Sequence, residues 1–330
     1  MVTVDAGSQE VLDWGGTGRP LDLLAGLGDT AHVFDNFAPK LTPEYRVYAI
    51  SGVPSSGYTA DRLGDDVLAV LDSLKIDHPV LVGHSIAGEE LSSMTTRHPE
   101  RIAGLIYLDA ANAYAYYDPS RGDLTIDTAE LQKKRSQLQK RPANAKQLVD
   151  DLLQKDLPGF ERDLRELQKN LQSGAPTHIP ASVAPTAADR ASFAAFRSWQ
   201  SRVQGVTMPE AALRQVFEST ADGHVGKQHP SSALAQAIRA GEQKYINIPV
   251  PALALFALRH DLGPGLKNDP ATRAAVEAMD IAVSKAQVKA FEAGVPSARV
   301  VRIPRANHFI FLSNKADVLR EMRAFLTSLR

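Results

Sequence analysis

The residues of this 330-residue chain that could do chemistry begin with Ser85, in the segment VLVGHSIAG at 80–88. A buried strand is predicted to end there and a helix to start at once, which is the setting of a nucleophile held on a tight, strained turn. Gly83 and Ala87 leave room for the backbone segments that such a turn brings together. The helix would also direct its first N–H groups at the reacting centre, where negative charge develops in acyl transfer. The pattern favours a nucleophilic serine, and a strand–helix junction with an incidental serine is the alternative.

A histidine suited to act as a general base follows the strand predicted at 298–303, in the segment RANHFIFL. Because sites in open α/β sheets gather at the carboxyl ends of the strands, we expect His308 on the same rim as Ser85. His84 directly precedes the serine, so its side chain should point away and either pack or form hydrogen bonds. The sequence therefore predicts His308 as the base.

Two aspartates compete for the place behind this histidine, where a carboxylate holds the imidazole in the correct tautomer. Asp261 follows the strand predicted at 250–258, and Asp109 ends the strand in LIYLDA. We expect Asp261, because the strand before it is the sequence neighbour of the His308 strand. Asp109 stands where the chain leaves the sheet and could instead cap backbone donors there.

Acyl transfer also requires donors for the oxyanion, and backbone amides can supply them. One is predicted at Ile86, directly after the nucleophile. The other is predicted at Leu27, in the early loop LLAGLGDT at 23–30, where Gly26 allows a turn. Two glycines in an ordinary turn would produce the same pattern.

The elements that must position these residues alternate along the first third of the chain. Continuous apolar, β-rich runs occur at 46–50, 80–83 and 105–108, and an amphipathic helix is predicted around Leu63, Val67 and Val70. Strands that are apolar on both faces and alternate with helices predict an α/β fold with a mostly parallel, doubly wound sheet. Asp22 is an unusual residue for the buried strand predicted at 21–25.

The alternation stops at 112 and resumes at 248. Between these positions a charged, glutamine-rich sequence predicts helices without strands, a break at Pro158-Gly159 and a loop at 177–186. We therefore predict a core made of residues 1–111 and 248–330, with a helical lid inserted at 112–247. Tyr114, Tyr116 and Tyr117, at the start of the insertion, are candidates for lining a substrate pocket; packing its hinge is the alternative.

Composition excludes several function classes. The chain carries 37 Lys+Arg and 38 Asp+Glu, a balance that gives no sign of a basic surface for nucleic acid. It contains no cysteine, which excludes disulfide scaffolds, thiolate metal sites and cysteine nucleophiles. Its longest apolar run, at 250–258, is too short to span a membrane. No metal or nucleotide motif occurs, His224 and His229 form only a weak metal pair, and we predict neither cofactor nor metal. The start of the chain lacks the features of a secretion signal, so we expect a cytoplasmic protein unless a signal has been trimmed.

Together these motifs resemble the α/β-hydrolase superfamily, in particular its lid-bearing serine esterase and aminopeptidase-like branch. The resemblance covers about 9–111 and 248–330 and rests on LLAGLG, on the segment from YTADRLGDD to VGHSIAG, on RHPERIAGLIYLDA and on NHFIFLSN. The resemblance implies the α/β-hydrolase fold and hydrolysis without a cofactor. It also implies that the nucleophile, acid and base are Ser85, Asp261 and His308, respectively. The chain departs from the family in lacking His-Gly before Leu27, in a shortened turn at 51–58, and in a long stretch before His308 that suggests an added helix.

The predicted function is cofactor-independent serine hydrolysis of small or medium apolar carboxylic esters, with a small molecule as the partner. Hydrolysis of amides or peptides, lactones or carbon–carbon bonds on the same scaffold stays open. A non-catalytic receptor for a small ligand is the alternative from another class. An epoxide hydrolase or dehalogenase is disfavoured, because these enzymes need a carboxylate at the position of Ser85.

Overall fold

A computed structural model of the chain describes residues 2–4, 7–51, 59–172, 184–229, 238, 241–263 and 270–329. Within these ranges the strands are β1 (Val2–Val4), β2 (Gly7–Gly15), β3 (Pro20–Leu24), β4 (Arg46–Ser51), β5 (Val80–His84), β6 (Gly104–Leu108), β7 (Phe217–Ser219), β8 (Val225–Gln228), β9 (Ala252–Leu258) and β10 (Ala298–Pro304). The α-helices are α1 (Ala60–Ser73), α2 (Ala87–Arg97), α3 (Leu124–Gln139), α4 (Ala145–Asp151), α5 (Leu157–Gln172), α6 (Phe193–Gln204), α7 (Glu210–Val216), α8 (Pro270–Gly294), α9 (Ile310–Ser313) and α10 (Lys315–Ser328).

The central feature of the described part is an eight-stranded sheet with the order β1-β2-β4-β3-β5-β6-β9-β10. The six strands from β4 to β10 in this order pair in parallel. At the other edge, β1 and β2 form an antiparallel hairpin, and β2 also runs antiparallel to β4. The mostly parallel sheet predicted from the sequence is confirmed.

Helices cover both faces of this sheet. On one face, α1, α2 and α8 contribute buried residues such as Val67, Leu91 and Phe291 to a common core. On the other face, α6 and α10 contribute Phe196 and Phe325. Every residue of β5 and β6 is buried, which explains why their sequences are apolar without alternation. The carboxyl ends of these two strands therefore emerge side by side near the middle of one rim.

The segment between β6 and β9 is mainly helical and contains α3 to α7. Two expectations about it are wrong. First, β7 and β8 form a short antiparallel hairpin that the sequence did not predict, because Phe217–Ser219 and Val225–Gln228 are short and mostly polar. Second, Pro158 and Gly159 do not separate two helices, because a π-helical turn at Leu152–Asp156 joins α4 to α5 and proline is tolerated in the first turn of a helix.

Two other expectations fall mainly outside the described residues, namely the shortened turn at 51–58 and the loop at 177–186. The helix expected between Asp261 and His308 is present as α8. Across the described ranges, no helix has both the length and the apolar character required to cross a bilayer.

Candidate active site

Ser85 occupies a sharp turn between the end of β5 and the start of α2. Its φ angle is 53°, in the left-handed region that residues with a side chain rarely adopt. A Cβ atom at Gly83 would lie 3.0 Å from the Leu91 side chain and 3.2 Å from the carbonyl carbon of Ala87. The absence of a side chain at Gly83 thus permits this turn, as the sequence predicts.

The loop after β3 passes close over this turn. A Cβ atom at Gly26 would lie 3.0 Å from both His84 Nδ1 and Ser85 Cβ, so glycine allows the loop to approach. Leu27 and Ile86 consequently border the same cavity as Ser85. The two residues predicted to supply oxyanion donors therefore lie beside the candidate nucleophile.

His308 lies in the loop after β10 and is paired with Asp109. Its Nδ1 is 2.6 Å from Asp109 Oδ2, so this nitrogen carries a proton and donates a hydrogen bond to the carboxylate. Asp109 directly follows β6 and has a positive φ of 51°. Its other oxygen, Oδ1, accepts a hydrogen bond of 2.9 Å from the backbone N–H of Ala257 at the end of β9. The carboxylate is thus held at the point where β6 and β9 meet.

The expectation that Asp261 orients His308 does not agree with this geometry. Asp261 is exposed, and its Oδ1 accepts a hydrogen bond from the backbone N–H of Gly263. Its own N–H donates to the carbonyl of Ala306. The physical reason is position, because Asp261 lies beyond the end of β9, where the chain has already turned away, whereas Asp109 comes at the strand end itself. The carboxylate in contact with the imidazole is therefore that of Asp109.

His84 is fully buried and supports the His308 loop. Its Nε2 donates to the backbone carbonyl of His308 over 3.1 Å, and the two rings lie 4.7 Å apart. Burial lowers the pKa of His84 to about 3, so the ring is neutral. This agrees with the prediction that His84 packs and forms hydrogen bonds.

Another histidine, His260, also contacts Asp109. Its Nε2 lies 2.7 Å from Asp109 Oδ2, and its Nδ1 lies 2.6 Å from Asp280 Oδ1 on α8. Burial alone would lower the pKa of His260, but the hydrogen bonds to Asp109 and Asp280 outweigh it and raise the pKa to about 10. Burial would likewise raise the pKa of Asp109, yet the hydrogen bonds from His260 and His308 hold it well below its usual range.

Asp109, His260 and His308 are also the residues in the described part of the chain whose potential ligand atoms come close together, within 4.8 Å of one another. Their contacts are hydrogen bonds in which two imidazole N–H groups donate to one carboxylate oxygen. We therefore interpret the group as a proton network and not as a set of metal ligands. His224, from the weaker metal pair, is 3.0 Å from Asp222 in the β7–β8 hairpin.

A cavity of about 460 Å³ opens in front of Ser85. Apolar side chains from separate parts of the chain border it together with polar ones; the main members are Leu27, Ile86, Tyr114, Ile238, Val283, Asn112, Arg121, Glu242 and Gln287. Such a mixture of apolar walls and a few polar groups is typical of small-molecule sites.

Of the three tyrosines predicted to line a pocket, the structure places Tyr114 on this cavity. Its hydroxyl accepts a hydrogen bond of 3.0 Å from Asn112. Tyr116 instead packs edge-on against Phe291 in the core. Tyr117 donates from its hydroxyl to the buried carboxylate of Asp127. Tyr116 and Tyr117 are therefore packing residues.

Sequence reasoning missed His260, Asp280 and Asn112. His260 stands beside Asp261 in the segment LRHD, and this was the available signal, since a histidine at a strand end is on the same rim as the site. Asp280 lies inside α8, where nothing in the helical pattern distinguishes it from an exposed aspartate.

Comparison with known proteins identifies the family. Residues 20–315 match the family model described as the alpha/beta hydrolase fold. The chain therefore belongs to the α/β-hydrolase fold family, and the resemblance to that superfamily noted in the sequence is confirmed.

Individual relatives match over shorter stretches. The 2-hydroxymuconate semialdehyde hydrolase of Pseudomonas sp. (strain CF600) is 31% identical over 119 residues, which cover 33% of this chain and 42% of the relative. The dihydrolipoyllysine-residue acetyltransferase component of the acetoin cleaving system of Pseudomonas putida is 30% identical over 170 residues. These residues cover 48% of this chain and 46% of the relative. The chain thus spans less than half the length of the curated relatives it matches.

Solved structures show the same fold over nearly the whole chain. A thermophilic esterase from Thermogutta terrifontis has a TM-score of 0.53, with 17% identity and coverage of 99% of this chain and 97% of the esterase. At this level of identity the likeness concerns the fold alone.

Proposed function

We propose that the protein is a serine hydrolase that cleaves carboxylic esters through an acyl-enzyme on Ser85, with His308 as the base and Asp109 as the residue that orients it. The observation that carries the proposal is the 2.6 Å hydrogen bond from His308 Nδ1 to Asp109, together with a strained turn at Ser85 that faces a cavity. The His308 ring lies 4.7 Å from that of His84, the residue directly before Ser85. Membership of the α/β-hydrolase fold family supports the same chemistry.

The chemistry follows from which nitrogen of His308 is occupied. Because Nδ1–H is committed to Asp109, Nε2 is the acceptor for the Ser85 proton. Ser85 Oγ attacks the ester carbonyl carbon as its proton moves to Nε2, and the amides of Leu27 and Ile86 bind the oxyanion. The bond to the leaving alkoxide then breaks as Nε2 passes the proton to that oxygen. Water, deprotonated by the same Nε2, attacks the acyl-enzyme and releases the carboxylic acid and free Ser85.

The cavity guides the choice of substrate. A volume of about 460 Å³ fits a small or medium ester, and Leu27, Ile86 and Val283 offer apolar contacts to an acyl chain. Asn112 and Gln287 border the same space and could bind a polar part of the substrate. We propose further that residues 112–247 act as a lid. Tyr114, Arg121 and Glu242 of this segment border the cavity, whereas the proposed catalytic residues Ser85, Asp109 and His308 belong to the parts of the chain before and after the segment.

The test is turnover of p-nitrophenyl esters of graded acyl length, together with labelling by a fluorophosphonate or a sulfonyl fluoride. We expect turnover of the short esters and stoichiometric labelling of Ser85. Ser85→Ala should lower kcat by about 10⁶-fold, because it removes the nucleophile. The melting temperature should change little, since the hydroxyl is only partly buried.

A matched control is Ser328→Ala, which removes an exposed serine hydroxyl that donates to the Phe325 carbonyl at the end of α10 and should keep full activity. Stoichiometric inhibition with the label mapped to a residue other than Ser85 would contradict the proposal. Cleavage of anilides or lactones but not esters by the same serine would keep the nucleophile and replace the substrate class. Binding of an ester without turnover would indicate the non-catalytic receptor.

A further inference from the structure

Both ring nitrogens of His260 face carboxylate oxygens. Nδ1 is 2.6 Å from Asp280 Oδ1, and Nε2 is 2.7 Å from Asp109 Oδ2. An ionised carboxylate only accepts hydrogen bonds, so each nitrogen must carry a proton to make these contacts. An imidazole with two N–H groups is a cation. The geometry therefore identifies His260 as an imidazolium.

Three separate elements build this arrangement. Asp109 directly follows β6, His260 follows β9, and Asp280 comes from α8. Asp280 holds His260 twice, because its Oδ2 also accepts the backbone N–H of His260 over 2.8 Å. The side chains are 5% exposed for Asp109 and 23% exposed for His260, so water screens their charges only partly.

Asp109 in turn has little freedom to move. Oδ1 accepts the N–H of Ala257, and Oδ2 is shared by His260 and His308. Rotation of the carboxylate would break all three hydrogen bonds. One of them comes from the cationic His260 ring and is charge-assisted, and another comes from His308, the proposed base. His260 also places a positive charge beside the same oxygen that must stabilise His308 when that ring is protonated during turnover.

We propose that His260 is a positioning residue of this site, a resident imidazolium that holds Asp109 against His308 and offsets part of its negative charge. The proposal rests on the proposed function in that His308 is the base. It assigns His260 a task that the reacting groups themselves do not perform, since His260 contacts Asp109 and not Ser85 or the cavity lining among the described residues.

Other charged groups also face this network. Asp29, on the loop after β3, interacts electrostatically with His308, and burial raises the pKa of Asp29 to about 7, with His308 opposing the rise. His84 faces His308 as a neutral ring. Arg259, next to His260, is paired with Glu277 over 3.0 Å, so this neighbouring pair adds little net charge.

Two substitutions separate charge from packing. His260→Gln keeps a donor directed at Asp109 but removes the positive charge, so protonation of His308 becomes easier. The acid limb of the kcat/KM profile should then move to higher pH, by about one unit. Asp280→Asn removes a negative charge and leaves His260 cationic, so the acid limb should move to lower pH. A residue that only fills space would change kcat or stability in both variants without shifts of opposite sign.

A third substitution measures positioning itself. His260→Ala removes both the donor and the charge, which leaves Asp109 free to rotate, and kcat should fall by about 10²-fold. His260→Gln should recover part of this loss. His224→Gln is the matched control, because His224 is an exposed histidine paired with Asp222 in the β7–β8 hairpin; neither the profile nor kcat should change.

Nitrogen NMR of histidine-labelled protein tests the charge independently of any activity. At pH 8 both ring nitrogens of His260 should be protonated, and these resonances should disappear in His260→Gln. A neutral His260 at pH 8 would overturn the inference even if the enzyme hydrolyses esters. Failure to hydrolyse any ester, with His260 doubly protonated, would instead count against the proposed function. Acid limbs that stay in place in both charge variants would also overturn the inference.

Discussion

Three histidines within one small region differ because of their neighbours. His84 is buried against the carbonyl of His308, with no carboxylate partner in the described part of the chain, and is neutral, with its pKa lowered to about 3 by burial. His260 lies between two carboxylates, which raise its pKa to about 10 against the effect of burial. His308 shares the Asp109 carboxylate with His260, and its second nitrogen, Nε2, is the proposed acceptor for the Ser85 proton. The same side chain is thus a support, a fixed cation and a candidate base.

The first prediction at this scale concerns the two aspartates. Asp109→Asn should lower kcat for p-nitrophenyl acetate by about 10⁴-fold, because the amide cannot stabilise the His308 imidazolium. Asp261→Asn should change kcat by less than about twofold, since that carboxylate is exposed and accepts from the Gly263 N–H of its own loop. Steady-state kinetics with melting temperatures for both variants would check this. A larger loss in Asp261→Asn than in Asp109→Asn would return the orienting role to Asp261.

How far the sequence predicts this site depends on the kind of information required. The turn at Ser85 and the position of His308 follow from strand ends, which an unbroken apolar run makes visible. The choice between Asp109 and Asp261 depends on the direction of a side chain one or three residues past a strand. That direction is set by the φ of 51° at Asp109 and by contacts with Ala257 and His260, which are distant in sequence. Local pattern carries no such information.

At the scale of elements, the segment between β6 and β9 meets the core through its first residues. Tyr114 borders the cavity, whereas the next two tyrosines are anchored, Tyr116 against Phe291 and Tyr117 to Asp127. The helices were predictable because their apolar positions recur at helical spacing. The β7–β8 hairpin was not, because its strands are too short to show a period.

The second prediction tests the division among these tyrosines. Tyr114→Ala should change the ratio of kcat/KM between long and short acyl esters by about tenfold or more, because it enlarges the cavity beside Ser85. Tyr114→Phe keeps the ring and should preserve that ratio. Tyr116→Ala should lower the melting temperature and reduce activity on every ester alike. Equal losses on all esters in Tyr114→Ala would contradict a role in selectivity.

At the scale of the whole molecule, the sheet carries a buried carboxyl group that the site does not use. Asp22 on β3 is 0% exposed, and neither oxygen has a hydrogen-bond partner among the described residues. Burial raises its pKa to about 8. Glu90 on α2 also has its pKa raised to about 8, by burial and then by the charges of Asp22 and Asp66. The folded protein therefore keeps protons that the unfolded chain would release.

The third prediction follows from this difference. An acid whose folded pKa is raised makes the native state less stable as pH rises from about 4 to about 8, by about 1.4 kcal/mol per pH unit for each proton. Asp22→Asn is neutral in both states, so its free energy of unfolding should fall less steeply over that range. Urea unfolding at pH 5, 6, 7 and 8 measures the slope, with exposed Asp72→Asn as the control. Equal slopes in wild type and Asp22→Asn would show that Asp22 is ionised in the native state.

The pairing of β6 with β9 also determines when, during folding, the residues of the candidate site come together. Ser85 and Asp109 precede the inserted segment, whereas His260, Asp280 and His308 follow it, and the two groups meet only when Leu105 pairs with Ala252 and its neighbours. Closing so long a loop costs entropy before any contact across the junction repays it, and such distant pairings form slowly. Helices and the first strands can form while the network is still open. Recovery of catalytic competence should therefore lag behind recovery of secondary structure, and it would report the docking of the last third of the chain.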